Sequence, residues 1–385
     1  LSGIDVDLRT GIALDGDGGV DTLLNIENVM GSVFFDDVIV GNSANNYLNG
    51  QGGNDQLVGA DGNDSLMGGT GNDFLLGGAG GDFLQGGAGD DTIDGGLITD
   101  RYFSYSDGNT VDYWDASGSV IVDLSMGRAT GANGNDVLLN INRISGSNFN
   151  DTLIGTSDLI WELFAGNAGD DVIDGGLITD TINARNSNRV DYSNVNTAIT
   201  VNLATGFSTG GGGNDTLLNI NQILGSSASD VLIGSDSTKA EMFAGNKGND
   251  TIDGAGGFDV LRYTEAAGAV NVNLVFGTAS DGYGTVDTFT NIEGVRGSKY
   301  DDILTGGNIS NGVGSTDGLE LFMGNAGNDT IDGGAGYDLT DYVSALTAVN
   351  VVLGGTGVGT AQDGLGGTDT LINIEAVNGS AFDDT

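Results

Sequence analysis

The chain has 385 residues, 71 of them glycine, with no proline, cysteine or histidine and a formal net charge of −43. Without cysteine there is no disulfide scaffold or thiolate metal site, and without histidine neither imidazole base catalysis nor an ordinary zinc site. A surface this acidic excludes nucleic acid and anionic membranes as partners, and it repels itself unless cations neutralise it. The hydrophobic fraction of 38% is nevertheless too high for an unfolded acidic tail. No apolar run is long enough to span a bilayer, and the opening stretch shows no cleavable secretion signal.

In chain order, Ile4, Val6 and Leu8 come first, apolar at every second place as in a strand with one buried face. "DTLLNIENVMGS" follows from Asp21, and nine-residue blocks then fill residues 50–94. The strict pattern Gly-Gly-x-Gly-x-Asp ends at Asp73, Asp82 and Asp91 within that array, and again at Asp215 and Asp338. Letting the second glycine vary adds Asp21, Asp55, Asp64, Asp136, Asp171, Asp250, Asp259, Asp329 and Asp369. Two places beyond these aspartates the residue is nearly always large and apolar, as at Leu57, Leu66, Leu75, Leu84 and Ile93.

A longer period lies over the short one. "LFAGNAGDDVIDGG" from Leu163 returns as "MFAGNKGNDTIDGA" from Met242 and "LFMGNAGNDTIDGG" from Leu321, and the three starts are evenly spaced. Between these come a tyrosine segment, an alternating strand such as Ile199, Val201 and Leu203, and a relative of "DTLLNIENVMGS". The repeat divides the chain into a partial first unit over 1–100, a second over 101–180, a third over 181–259, a fourth over 260–338 and a truncated fifth over 339–385. It opens inside one copy and stops within "GSAFDDT", so the expectation is a piece of a longer protein.

Glycines at the first, second and fourth places permit a tight turn with positive φ and bring bare carbonyls together. With the aspartate at place six they form a cluster of hard oxygen donors, which suits Ca²⁺ better than the rigid, hydrated octahedron of Mg²⁺. Two nine-residue strand–turn elements make one coil, so turns two blocks apart stack on one edge. Asp55, Asp73 and Asp91 then line one edge, and Asp64, Asp82 and Asp100 the other. The candidate donors are Gly50, Gly52, Gly59, Gly68, Gly69, Gly71, Gly77, Gly78, Gly80, Gly86, Gly87 and Gly89 with the pattern aspartates above. Asp37, Asp61, Asp151, Asp180, Asp230, Asp287 and Asp302 complete the acidic set. Nine places before Asp171, Asp250 and Asp329 stand Glu162, Glu241 and Glu320, each two places ahead of a phenylalanine, and these are expected to supply carboxylates at roll edges.

In these motifs the chain resembles the RTX (repeats-in-toxin) family of hemolysin-type calcium-binding nonapeptide repeats, most strongly over residues 50–94. The resemblance implies an all-β, calcium-loaded parallel β-roll or β-helix solenoid, with Ca²⁺ between turns n and n+2. It also implies type I secretion, unfolded in a calcium-poor cytoplasm and folding outside. Export to the surface of a Gram-negative bacterium is the expected location. The expected function is structural or adhesive, as an S-layer, filament or large adhesin. Its partners would be calcium ions, other copies of the chain and cell-surface polysaccharide. The alternatives are the carboxy-terminal secretion and folding region of an enzyme or toxin, and a polysaccharide-modifying enzyme with RTX modules. No catalytic role is expected within the segment, because the frame assigns most carboxylates to the metal.

Tyr113, Tyr192, Tyr263 and Tyr342 recur at one place in the long unit and are expected to pack in the core rather than stack on sugars. Asn25, Asn140, Asn219, Asn291 and Asn373 recur in an Asn-Ile-Glu/Asn step, where a side-chain bond would fix a bend. Trp114 and Trp161 occur once each and carry no assignment.

Overall fold

The computed structural model describes residues 2–98, 108–178, 187–307, 319–355 and 357–385. Every helix or strand among them is a β-strand. The chain forms two compact units, Leu1–Arg189 with Gly212–Asn219, and Val190–Gly211 with Ile220–Thr385.

In the first unit the apolar residue at place eight decides the architecture. Val38–Val40, Gln56–Asp61, Phe74–Ala79 and Thr92–Gly96 stack in parallel, with Leu57 opposite Leu75 and Leu75 opposite Ile93. The intervening strands Asn28–Met30, Tyr47–Gly52, Ser65–Thr70 and Phe83–Ala88 stack in parallel in a second sheet, with Leu48 opposite Leu66 and Leu66 opposite Leu84. These leucines and Ile93 are fully buried. Successive nine-residue blocks therefore alternate between two sheets, and neighbours within a sheet are two blocks apart. This is a parallel β-roll.

The turns depend on the left-handed backbone. In the block starting at Gly68, Gly69 has φ 110° and Gly71 has φ 125°. Asn167, Asn246 and Asn325 occupy the second place at φ 67–69°, a region asparagine tolerates better than other residues with a Cβ, while Gln51, Ala60 and Ala255 hold the same place at φ 74°, 87° and 63° without that advantage.

In the second unit Val231–Ile233, Thr251–Asp253 and Val286–Thr290 stack in parallel, as do Ile303–Thr305, Thr330–Asp332 and Thr368–Ile372. The opposite sheet runs in parallel through Gln222–Leu224, Glu241–Ala244, Asp259–Arg262, Gly294–Arg296, Leu319–Met323, Tyr337–Asp341 and Ala376–Asn378. Phe243 and Phe322, two places after Glu241 and Glu320, are fully buried.

One feature departs from a purely parallel roll. The alternating strand of each long unit turns back on itself. Val120–Asp123 pairs antiparallel with Arg128–Gly131, which pairs antiparallel with Gly134–Leu139. The outer strands of this meander each join a parallel stack, Gly134–Leu139 on Thr92–Gly96 and Val120–Asp123 on Thr152–Ile154. The same arrangement appears at Asn271–Asn273, Thr278–Ser280 and Val286–Thr290. An antiparallel pair needs only a short turn, so the meander joins one nonapeptide stack to the next without a crossover.

Candidate metal centre

The stacking register places each aspartate of the array beside its counterpart two blocks away. The backbone amide of Asp37 donates to Oδ1 of Asp55 at 2.7 Å, that of Asp55 to Asp73 at 2.7 Å and that of Asp73 to Asp91 at 2.8 Å. Asp91 continues to Asp136 at 3.0 Å. On the other edge Asn46 donates to Asp64, and Asp64 to Asp82. Later copies build shorter ladders: Asp151 to Asp171 to Asp215, Asp230 to Asp250 to Asp287, and Asp302 to Asp329 to Asp369.

Each inner ladder carboxylate has one oxygen left over. Oδ2 of Asp55, Asp64, Asp73, Asp82, Asp91, Asp171, Asp250 and Asp329 is buried without a hydrogen-bond partner. The glycine of place one shows where it points. A Cβ added to Gly50 would lie 2.2 Å from Oδ2 of Asp55 and 2.8 Å from the carbonyl oxygen of Gly68. Gly59, Gly68 and Gly77 repeat this with Asp64 and Gly77, Asp73 and Gly86, and Asp82 and Gly95, and Oδ2 of Asp91 lies 2.2 Å from a Cβ added to Gly86. A carboxylate oxygen and a carbonyl oxygen thus line one small space with no hydrogen between them. A buried anion in that state costs several kcal/mol unless a cation joins it.

Burial raises these carboxyl pKa values. Desolvation is the largest cause throughout, pushing Asp55, Asp64, Asp73 and Asp82 to about 6, Asp91 and Asp171 to about 7, and Asp250 and Asp329 to about 8. At Asp250 the neighbouring charges of Asp287 and Asp230 add to it.

Asp37, Asp151, Asp230 and Asp302 keep the same pairing of Oδ2 with a carbonyl, beside Gly31, Gly146, Gly225 and Gly297, but the protein also hydrogen-bonds these carboxylates. Oδ2 of Asp37, Asp151, Asp230 and Asp302 accepts the amide of Ser32, Ser147, Ser226 or Ser298, at 2.5 Å for Ser32 and 2.6 Å for the others. The same serine hydroxyl donates to Oδ1 in each case. The ladders of Asp136, Asp287 and Asp369 end on tyrosine: Tyr113, Tyr263 and Tyr342 donate their hydroxyls to Oδ2 at 2.8, 3.1 and 2.9 Å. The fourth tyrosine, Tyr192, donates to Ser208 at 2.8 Å. All four tyrosines are buried in the core, and the hydroxyls give them a second task that the sequence did not disclose.

The three glutamates take the aspartate's position by a longer reach. Oε2 of Glu162 lies 2.6 Å from a Cβ added to Gly155, with the Gly175 carbonyl 2.9 Å from the same point. Glu241 and Glu320 repeat this at Gly234 and Gly306. Glu162 accepts the Thr156 amide and Glu320 that of Gly307, while Glu241 accepts both amide and hydroxyl of Ser235. Desolvation pushes Glu162 to about 8.

Asp21 and Asp61 are exposed and lie outside these ladders. Asp100 and Asp180 lie outside the described residues. The amide of Asp82 donates to Oδ1 of Asn109, so a carboxamide follows Asp82 on the second edge. Gly52, Gly69, Gly71, Gly78, Gly80, Gly87 and Gly89 face carbonyls of the preceding coil: a Cβ at any of them would collide with one. Among the described residues no three acidic side chains converge to hold a metal by themselves. The donor set is therefore mixed, one or two carboxylates with backbone carbonyls. That set fits Ca²⁺, which takes 6–8 oxygens in flexible geometry.

Two features escaped the sequence reading. A Gly-Ser pair recurs shortly before Asp37, Asp151, Asp230 and Asp302, and it was a visible signal for the serine-bonded aspartates. Residues at place five form an exposed ladder running the other way, with the Asn72 amide donating to Asn54 and that of Asp90 to Asn72.

The family model described as RTX calcium-binding nonapeptide repeat (4 copies) matches residues 34–66, 67–97, 162–188, 242–261 and 315–339. The chain carries RTX calcium-binding repeats. The matched RTX segments hold the orphaned aspartates Asp55, Asp64, Asp73, Asp82, Asp91, Asp171, Asp250, Asp259, Asp329 and Asp338. No curated protein matches the chain. Among solved structures it is similar to the extracellular lipase LipA from Serratia marcescens, with 16% identity and a TM-score of 0.19. The likeness covers 70% of this chain and 42% of the lipase chain, and it is too slight to carry an argument.

Proposed function

We propose that this is an extracellular structural protein of the RTX type, whose rolls fold when calcium enters the turns and which then associates with copies of itself in a surface layer or filament. The observation that carries the first half is the column of buried aspartates, each with one oxygen that has no hydrogen-bond donor, and with a carbonyl oxygen beside it at Asp55, Asp64, Asp73 and Asp82. Bound calcium would supply the positive charge and coordination those oxygens lack. The chain's residues do the rest: amides orient each carboxylate through Oδ1, and glycine leaves room beside Oδ2. In a calcium-poor cytoplasm the same columns would hold the chain open, which suits export before folding. No catalytic role is assigned, since this reading gives the unpartnered carboxylate oxygens to calcium.

Self-association is supported by the meanders, which expose apolar side chains copy after copy. Met126, Phe207, Phe276 and Val358 are all more than half exposed. A role as the secretion and folding region of a larger enzyme is the second reading, favoured by the same calcium columns. Circular dichroism decides the first half: coil in chelator, β structure in millimolar Ca²⁺ and much weaker rescue by Mg²⁺. Equal β content in chelator and calcium would remove the proposal.

A further inference from the structure

On the edge that carries Asp64 and Asp82, one position changes chemistry between copies. Four places before the recurring tyrosines stand Asn109, Asn188, Asp259 and Asp338, all buried. Asn109 is fully employed. Oδ1 accepts the Asp82 amide at 3.1 Å, its own amide donates to Oδ1 of Asn142 at 2.9 Å, and Nδ2 donates to the carbonyl of Asn140 at 3.1 Å. Asn188 likewise donates Nδ2 to the carbonyl of Asn219 at 2.8 Å. These contacts fix the amide orientation, since only the nitrogen can donate to a carbonyl.

At Asp259 and Asp338 the backbone partner is unchanged but the donor is gone. The matching carbonyls belong to Asn291 and Asn373. A Cβ added to Gly254 would lie 2.0 Å from the Asn291 oxygen and 2.8 Å from Oδ2 of Asp259. One added to Gly333 would lie 2.4 Å from the Asn373 oxygen and 2.7 Å from Oδ2 of Asp338. Neither Oδ2 has a hydrogen-bond partner. A second carboxylate also enters, because Glu293 and Glu375 stand where the earlier copies have Asn142 and Asn221, and each accepts the amide of Asp259 or Asp338 at 3.0 Å.

The first unit shows a complementary change. The guanidiniums of Arg143 and Arg189 stack on Trp161, 5.3 and 5.0 Å from its ring centroid. At those two positions the later copies carry Gly294 and Ala376, and Val260 and Leu339. The guanidiniums of Arg143 and Arg189 thus accompany the carboxamides and have no counterpart at the matching places beside the carboxylates. There the arginines of the same strands, Arg262 and Arg296, stand further along, and Arg262 pairs with Glu265.

We propose that this edge has two kinds of closure. At Asn109 and Asn188 a carboxamide N–H takes the place of a metal ion, and these junctions hold without calcium. At Asp259 with Glu293, and at Asp338 with Glu375, a divalent cation bridges the carboxylates to the carbonyls of Asn291 and Asn373. The inference rests on the calcium reading above, and it predicts that the copies differ in ion number although their backbones match.

Counting bound calcium on the whole chain by native mass spectrometry tests this. Asp259→Asn with Asp338→Asn should lose two ions while keeping its β content in calcium. Asn109→Asp with Asn188→Asp should gain up to two, with the first unit becoming more sensitive to chelator. An unchanged count in D259N/D338N overturns the inference. Should that variant fail to fold in calcium, the count of N109D/N188D decides, and no gain there overturns it as well. A wild-type chain that binds no calcium at all instead removes the reading beneath it.

Discussion

At residue scale, two aspartates that look alike in sequence have different surroundings. Asp73 has an orphaned oxygen and ladder partners on both sides. Asp230 has Oδ2 on the Ser226 amide and Oδ1 on the Ser226 hydroxyl and the Ile199 amide. Asp73→Ala should therefore lower the calcium stoichiometry in calorimetric titration more than Asp230→Ala, and equal losses would refute the column arrangement. Tyr263→Phe removes a donor to Asp287 inside the core. A hydrogen bond to a charged group contributes about 1.5–3 kcal/mol, so thermal unfolding in calcium should move down by several degrees with the ion count unchanged. The aspartates were legible because glycine and aspartate keep a strict frame. The tyrosine caps were not, since a hydroxyl so far along the chain from its carboxylate leaves no spacing signal that separates it from core packing.

At the scale of the ladder, the raised carboxyl pKa values set a pH dependence. An aspartate has an ordinary pKa near 3.8, while burial pushes Asp55, Asp64, Asp73 and Asp82 to about 6 and Asp250, Asp259 and Asp329 to about 8. The folded state therefore holds protons more tightly than the unfolded chain. Their stabilisation is complete below pH 4 and is lost as pH rises through 6 to 8. In chelator, β structure should grow as pH falls from 8 toward 4. Where that acid-folded state is populated, protons and calcium compete for the same oxygens, so calcium uptake should release protons there. A β content in chelator that does not change between pH 8 and 4 would contradict the orphaned carboxylates. The parallel stacking of these ladders was readable from the nine-residue period. The meander was not, because Val120, Val122 and Leu124 alternate in the same way whichever direction their neighbour runs.

At the scale of the whole molecule, a net charge of −43 opposes both folding and contact between copies. Calcium taken into the columns removes part of that charge from the interior, and further ions can bridge the acidic surfaces of neighbouring molecules. Once repulsion is lowered, the exposed apolar side chains of the meanders become the natural contact: Phe207 and Phe276 stand more than half exposed in successive copies. The expected outcome is a monomer in chelator and a growing, ordered assembly at millimolar Ca²⁺, seen by light scattering and electron microscopy and reversed by chelator. Phe207→Ser with Phe276→Ser should weaken that assembly while leaving the calcium count and β content of the monomer as they were, because neither residue belongs to a ladder. Two outcomes would show the structural reading to be wrong and favour a folding region attached to some other activity. One is a chain that stays monomeric at high concentration in calcium, and the other is an assembly indifferent to both phenylalanines and to chelator.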